Sequence, residues 1–466
     1  MSGNGPARTI GELRRSGYEV LSVREELRKN LIAKIEVGDE LFPGIIGFDE
    51  TVIPQIENAI LAGQDLILLG ERGQAKTRII RRMVTLLDEA IPYVSGCEIN
   101  DNPYSPICGR CKALVEADGD DVEIDWLGRK DRYGEKLATP DITVADLIGE
   151  IDPIKVADGR YLSDELAIHY GLIPRTNRGI FCINELPDLS ERIQVGLFNL
   201  MEERDIQIKG YRIMLPLDVY LTASANPEDY TNRGRIITPL KDRYGAQVRT
   251  HYPRSTDEEM AIVEQEYVRF PDASEQVSVA GYMKVLIAEI TSLARRSPEI
   301  NQRSGVSLRV SISNFETVLG NAFKRGLRCD ERASPRISDL PSIVASTTGK
   351  IELESVEEGA EAKVVEGLIK KAVLNVFGRY FGVEEFEDLV YRFEGDLVVE
   401  VGSEVPSAAY VEQLGSVDGL SELVRRLGPT EDPASFASAT ELVLEGLHLN
   451  RRLNRDSVDG KLVYRR

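Results

Sequence analysis

The sequence predicts an α/β protein built on a parallel sheet and continued by a mainly helical second half. Three observations predict it. A short apolar run, Asp65-Leu-Ile-Leu-Leu69, leads straight into Gly70-Glu-Arg-Gly-Gln-Ala-Lys-Thr77 and then into helical periodicity. Further short apolar runs at 180–183, 219–224 and 247–252 are separated by helical segments, as in a parallel sheet. After Pro253 the strands give way to amphipathic helices.

Each element follows in order. Residues 10–40 carry apolar residues at helical spacing (Leu21, Val23, Leu27, Leu31, Ile32), which predicts one helix or two. A turn-rich stretch, FPGIIGFDE (42–50), precedes a helix over about 50–62, broken by Gly63-Gln64-Asp65. The strand at 65–69 and the loop at 70–77 come next, then a helix from Thr77 to Ile91. Residues 95–135 are dense in Cys, Pro, Gly, Asn and Asp and read as an insertion rather than core, with a strand near 122–126. Short helices and turns over 140–178 lead to the strand 180–183, the periodic helix Arg192–Glu203 and the strand 219–224.

The second half reads as helices at 257–269, 282–295 and 310–325, a Pro-containing polar linker at 330–345 and an acidic run at 352–361. An amphipathic helix at 366–381 follows, with Leu368, Ile369, Ala372, Val373, Val376 and Phe377 on one face. Residues 384–466 read as mainly helical, and the basic run 448–455 as a solvated helix face. The domain reading is an N-terminal helical segment (1–40), a nucleotide-binding α/β core (41–253), a helical lid (254–330) and a C-terminal region (331–466).

Composition narrows the function. With 57 basic and 77 acidic residues, the net charge is −20, which argues against a general binder of nucleic-acid backbone. No apolar run is long enough to span a bilayer, and the N-terminus lacks the apolar region of a secretory signal, so the expected location is the cytoplasm. Five cysteines in a chain of this length do not make a disulfide framework.

The segment Gly70–Thr77 has the strand–loop–helix setting of a phosphate loop. Gly70, Gly73 and Ala75 line its backbone, Lys76 offers charge to the β- and γ-phosphates, and Thr77 offers a hydroxyl to Mg²⁺. Ala75 stands where the usual pattern has Gly, and it fits if that position needs no positive φ. This GxxGxAKT loop, with PGIIGFDE upstream, resembles AAA+ ATPases of the magnesium chelatase ATPase-subunit and MoxR type. The resemblance runs over roughly residues 40–330 and implies a P-loop AAA+ parallel-sheet core with a helical lid. It places Ile46 near the adenine and makes 146–178 a helix-2-type insert.

The resemblance implies further site residues. Gly179-Ile-Phe-Cys-Ile-Asn184-Glu185 falls where the acidic strand-end motif belongs, with Glu185 as base and Asn184 in place of the Asp that orders Mg²⁺ through water. Asn226 falls in the segment that orients the attacking water, Arg243 in a box that supplies an arginine finger to a neighbouring subunit, and Arg309 at a second sensor position. Arg233 and Arg235 are rival fingers. A finger acting between subunits implies a ring, by resemblance a hexamer, and the family's motor works with a von Willebrand A-type partner.

Cys97, Cys108 and Cys111 form a candidate zinc site, with Cys108-Gly-Arg-Cys111 as its tight turn. Asp101 or His169 is the candidate fourth ligand; an iron–sulfur cluster is the alternative metal, and three reduced thiols the alternative without one. The expected function is Mg-ATP hydrolysis coupled to remodelling of a partner, of metal-insertion or chaperone type. The alternatives are a nucleotide-dependent switch with little hydrolysis, motivated by Asn184, and an AAA+ transcription regulator.

Overall fold

The structure is a computed structural model, which describes residues 6–151, 168–203, 206–208, 211–213, 215–226, 234–354, 359–395, 397–402, 404–417, 419–458 and 461–466. The chain divides into two compact units, Met1–His251 and Tyr252–Arg466.

The first unit opens with two helices, Ile10–Arg15 and Val23–Val37. Ser22 and Glu25 close a capping box at the start of the second, and Gly38 ends it with φ +72°. The helix Val52–Leu61 stops at Gly63, also at positive φ. Five parallel strands form the core sheet: β1 (Leu66–Leu69), β2 (Tyr133–Leu137), β3 (Gly179–Asn184), β4 (Val219–Ala225) and β5 (Ala246–Arg249). Their order across the sheet is β5-β1-β4-β3-β2. Leu69 lies beside Ala225 and Arg249, and Asn184 lies beside Leu137.

Both faces of this sheet are covered, so its central strands read as continuous apolar runs rather than alternating ones. Ile67, Leu69, Phe181, Ile183, Leu221 and Ala223 enter one apolar cluster, and Leu66, Leu68, Ile180, Cys182 and Tyr220 enter the other. The expected fold class, an α/β core on a parallel sheet followed by a mainly helical region, is the one observed.

Several details differ from expectation. The helix after the phosphate loop ends at Met83 and continues only as a 3₁₀ turn to Leu86. Residues 90–94 instead form a strand paired antiparallel with Ile124–Gly128, because Pro92 cannot continue a helix and Ile91 and Val94 are buried by the pairing. Residues 95–135 are not a surface excursion. Cys97, Ile99, Cys108, Cys111, Val122 and Ile124 belong to a core cluster, and Tyr133 opens β2, an edge strand missed because its sequence, YGEKL, is polar. Of 146–178, residues 152–167 lie outside the described residues.

The second unit surrounds one apolar cluster that runs from Met260 to Tyr464. Its main helices are Thr256–Glu266, Gly281–Ala294, Arg309–Cys329, Ala360–Tyr380 and Pro433–Leu449. The predicted apolar face of 366–381 is buried at all six named positions. The supposed linker at 330–345 is interior: Arg336, Asp339, Leu340 and Ile343 are buried around a 3₁₀ helix, and Asp339 pairs with the buried Arg325. Its polar residues are there to satisfy one another, which composition alone does not reveal. Residues 384–466 also contain a sheet, Val399–Val401, Lys461–Arg465 and Asn454–Val458. The basic run 448–455 is therefore no helix face: its helix ends at Leu449, and Arg455, on a strand, pairs with Glu445. Of the acidic run 352–361, residues 355–358 are outside the described set.

Candidate functional site

Parallel strands put all their C-terminal ends on one edge, where an open α/β sheet receives ligands. The loop after β1, Asn184 and Glu185 at β3, and Asn226 after β4 all come to that edge. Thr250, one residue past β5, joins them and was not foreseen.

The loop is braced from behind. Its Gly70 N–H donates to Ala225 O at 3.1 Å. A Cβ at Gly70 would sit 1.9 Å from Thr250 Oγ1 and 2.3 Å from Gln74 Oε1, so only glycine fits. Gln74 Oε1 accepts from Thr250 Oγ1 at 2.7 Å and from Glu71 N–H at 3.1 Å. Gly73 has φ +78° and Ala75 φ +56°. The expectation that Ala75 fits by avoiding positive φ is thus overturned. It adopts the left-handed turn at the head of the helix Lys76–Met83, which costs a non-glycine residue roughly 1–2 kcal/mol.

Two hydrogen-bonded chains run from the loop into the strand ends. In the first, Lys76 Nζ donates to Gly70 O, to Glu71 O at 2.8 Å and to Asn226 Oδ1 at 2.7 Å. Asn226 Nδ2 in turn donates to Glu185 Oε2 at 2.9 Å. The second runs from Thr77 Oγ1 to Asn184 Oδ1 (3.1 Å), and from Asn184 Nδ2 to Glu135 Oε1 (2.9 Å). Ser224 Oγ also donates to Asn184 Oδ1, at 3.0 Å. Lys76, Asn184 and Asn226 are buried, and Glu185 is half-buried at φ +55°. Left-handed backbone at a non-glycine residue persists only where its surroundings impose it, and here two such residues flank one polar cluster.

Glu135 was missed by sequence reading. Arg81 forks onto it with two 2.7 Å bonds and Tyr133 Oη donates to it at 2.8 Å. The Arg81 hydrogen bonds hold its carboxyl below the usual carboxylate range. An Asn amide suits position 184 because it takes hydroxyls on its oxygen and gives an N–H to this carboxylate. An Asp could not donate, and would set two carboxylates together. The only sequence signal for Glu135 is the aromatic–Gly–polar alternation of a short edge strand.

The other predicted residues are placed as follows. Arg243 ends the helix Thr238–Arg243, pairs with Glu202 at 2.5 Å and lies over the Phe198 ring. Arg235 is more exposed and lies 3.7 Å from Glu191; Arg233 is outside the described residues. Ile46 is half-buried in the segment before Val52–Leu61, where Phe48 packs edge-on against His251. Arg309 is exposed at the first turn of Arg309–Cys329, in the second unit. Cys97, Cys108 and Cys111 come together with Asp101, while His169 is exposed on another strand pair. No helix among the described residues is long and apolar enough to cross a membrane.

No protein-family model and no curated protein matches the chain. Solved structures do. The chain is similar to a structure of the complex between subunits BchI and BchD of magnesium chelatase, built from a cryo-EM reconstruction: 18% identity, 71% of this chain and 98% of that one covered, TM-score 0.36. A protein from Cytophaga hutchinsonii, assigned provisionally as an ATPase, gives 16% identity, 77% and 98% coverage, and TM-score 0.31. NtrX from Brucella abortus gives 16%, 74% and 67%, and 0.37.

Proposed function

We propose that this chain is an ATPase of the magnesium chelatase ATPase-subunit and MoxR type, coupling Mg-ATP hydrolysis to remodelling of a partner protein. The observation that carries it is the chain Lys76–Asn226–Glu185, which connects the phosphate-loop ammonium to a strand-end carboxylate through one amide. Bound Mg-ATP would supply the scissile phosphoanhydride and a cation that offsets its charge.

The chain's own residues then have separable tasks. Loop N–H groups and the start of Lys76–Met83 hold anionic oxygens. Lys76 would exchange its present carbonyl partners for phosphate oxygens, and Thr77 would offer its hydroxyl to the cation. Glu185 takes the proton of the attacking water at Oε1 or Oε2, and Asn226 fixes that carboxylate and the water's direction. Asn184 would offer its amide oxygen to water on the cation, while Glu135 behind it, ion-paired to Arg81, fixes the orientation of that amide. That fixed orientation favours an active enzyme over a switch that barely hydrolyses.

Arg243, released from Glu202, serves as a finger toward a neighbouring copy, with Arg235 its rival. Assembly into a ring follows from that role, and a von Willebrand A-type partner from the family resemblance; Ile46 and Arg309 take the adenine and sensor roles on the same basis. The net charge of −20 disfavours the transcription-regulator reading. Steady-state assays test the proposal: wild type should hydrolyse ATP only with Mg²⁺, and Lys76→Ala should not. Wild type no faster than Lys76→Ala at any Mg²⁺ concentration would refute it.

A further inference from the structure

We infer that Cys97, Asp101, Cys108 and Cys111 form a closed structural site for one zinc ion. One donor atom from each of the four residues lies within 4.8 Å of all the others, and all four residues are buried. A tetrahedral zinc with bonds of about 2.3 Å to sulfur and 2.0–2.2 Å to oxygen sets its donors roughly 3.5–3.8 Å apart. The four donors therefore need to draw in by at most about 1.0–1.3 Å to reach bonding distance.

The backbone prepares each donor. The strand Ala90–Val94 turns back on itself through Cys97 N–H to Val94 O and Val94 N–H to Asp101 O, both 3.1 Å. Asn100, at φ +53°, closes that turn. Cys108 caps the helix Gly109–Asp118, which puts Cys111 three residues on in its first turn. Backbone N–H groups point at two of the sulfurs, Asp101 at Cys97 Sγ (3.4 Å) and Cys111 at Cys108 Sγ (3.3 Å). Such donors favour thiolate over thiol.

Asp101 makes the case for a cation. It is fully buried, and Cys108 N–H binds its Oδ2 at 3.0 Å. Its Oδ1 has no hydrogen-bond partner. A buried carboxylate oxygen left unpaired is costly, and a metal ion beside three sulfurs would satisfy it. Three reduced thiols would offer that oxygen only weak S–H donors. Magnesium and calcium prefer all-oxygen sites, and an iron–sulfur cluster needs its ligands spread around several metal atoms rather than gathered about one point. His169 is not required, since the donor set is already complete.

The site also has a mechanical address. Asn177 Nδ2 donates to Ile99 O at 2.9 Å, and Asn100 Nδ2 donates to Arg175 O at 2.8 Å. The cysteine turn is thus fastened to the residues just before β3, the strand that ends in Asn184. An ion that locks the turn stiffens the root of that strand.

The test uses the full chain purified under reducing conditions. Elemental analysis should find about one zinc per chain, as expected of a closed four-ligand site. Chelator-stripped protein should lose thermal stability and regain it with zinc alone, and cobalt(II) should give the thiolate charge-transfer and visible bands of a tetrahedral site. Cys108→Ser should lose the metal. Should that variant not fold, Asp101→Asn and competition titration of stripped wild type against a chromophoric chelator give the same answer: weaker zinc in the variant, tight one-to-one binding in wild type. Folded, reduced wild type that takes up no stoichiometric zinc overturns the inference. So does iron with sulfide in its place, or full zinc affinity in folded Cys108→Ser.

Discussion

The two ends of β3 hold polar clusters of similar size and opposite design. At its root, Arg178 donates to Pro92 O at 2.6 Å, and Asn177 joins Ile99 O to Asp218 N–H. Arg132 donates to Arg178 O and forks onto Glu26, at 2.7 and 2.5 Å, with both partners almost fully buried. Gly179 lies so close to Arg132 O that a Cβ would meet it at 2.1 Å. At the tip, side-chain hydrogen bonds link Lys76, Asn226 and Glu185 and link Thr77 to Asn184, Lys76 also donates to two loop carbonyls, and Glu185 and Thr77 keep some exposure. The root ties charges to backbone and removes them from water. The tip holds them in arrangements that, on the proposed function, a phosphate and a metal would replace. Buried polar groups alone therefore do not mark a site; exchangeable partners at a strand's C-terminal end do.

That contrast is easiest to break at the tip. Lys76→Ala should cut ATP hydrolysis to background with little change in unfolding free energy, and Glu185→Gln should reduce kcat by about 10²–10⁴-fold. Denaturant titration beside each assay separates lost chemistry from lost fold. The root should behave in reverse. Arg132→Ala leaves Glu26 buried and unpaired, which should cost about 3–5 kcal/mol of stability, read from the urea midpoint.

A finer test concerns the pair that replaces the usual acid. Glu135→Gln should raise the Mg²⁺ concentration for half-maximal activity by roughly threefold to tenfold, the effect of one screened charge near the metal. Asn184→Asp alone should gain little, because its carboxylate faces Glu135. Combined with Glu135→Gln it should restore or improve on the wild-type requirement. Equal Mg²⁺ requirements in all four proteins would remove Glu135 from the account. The smallest effect is at Ala75, where Gly should relieve the left-handed turn and stabilise the first unit by about 1 kcal/mol or less, since glycine also loosens the unfolded chain.

The tip was legible in the sequence and the root was not. Lys76, Thr77, Asn184, Glu185 and Asn226 each follow an apolar strand, so local pattern fixes both their identity and the sheet edge they share. Glu135, Arg132 and Glu26 act across long sequence separations, on a polar edge strand and a helix whose pattern shows only that it is half-buried. The interior polar residues at 330–345 were misread for the same reason: Arg336 and Asp339 resemble linker residues until their partners are known. The small sheet around Lys461–Arg465 escaped because its strands are short and charged, and Val399–Val401 lies far along the chain from the other two. For the cysteines, spacing picked out three candidate ligands, but only the folded turn brings Asp101 rather than His169 beside them.

The most direct test of the tip as a catalytic centre is specific ATPase activity measured against protein concentration, for wild type and Arg243→Ala. A finger supplied by a neighbouring copy predicts wild-type activity per chain that rises with concentration and then levels off, and an Arg243→Ala curve that stays low at concentrations where the protein assembles. No Mg-dependent activity above the Lys76→Ala background at any concentration would contradict it.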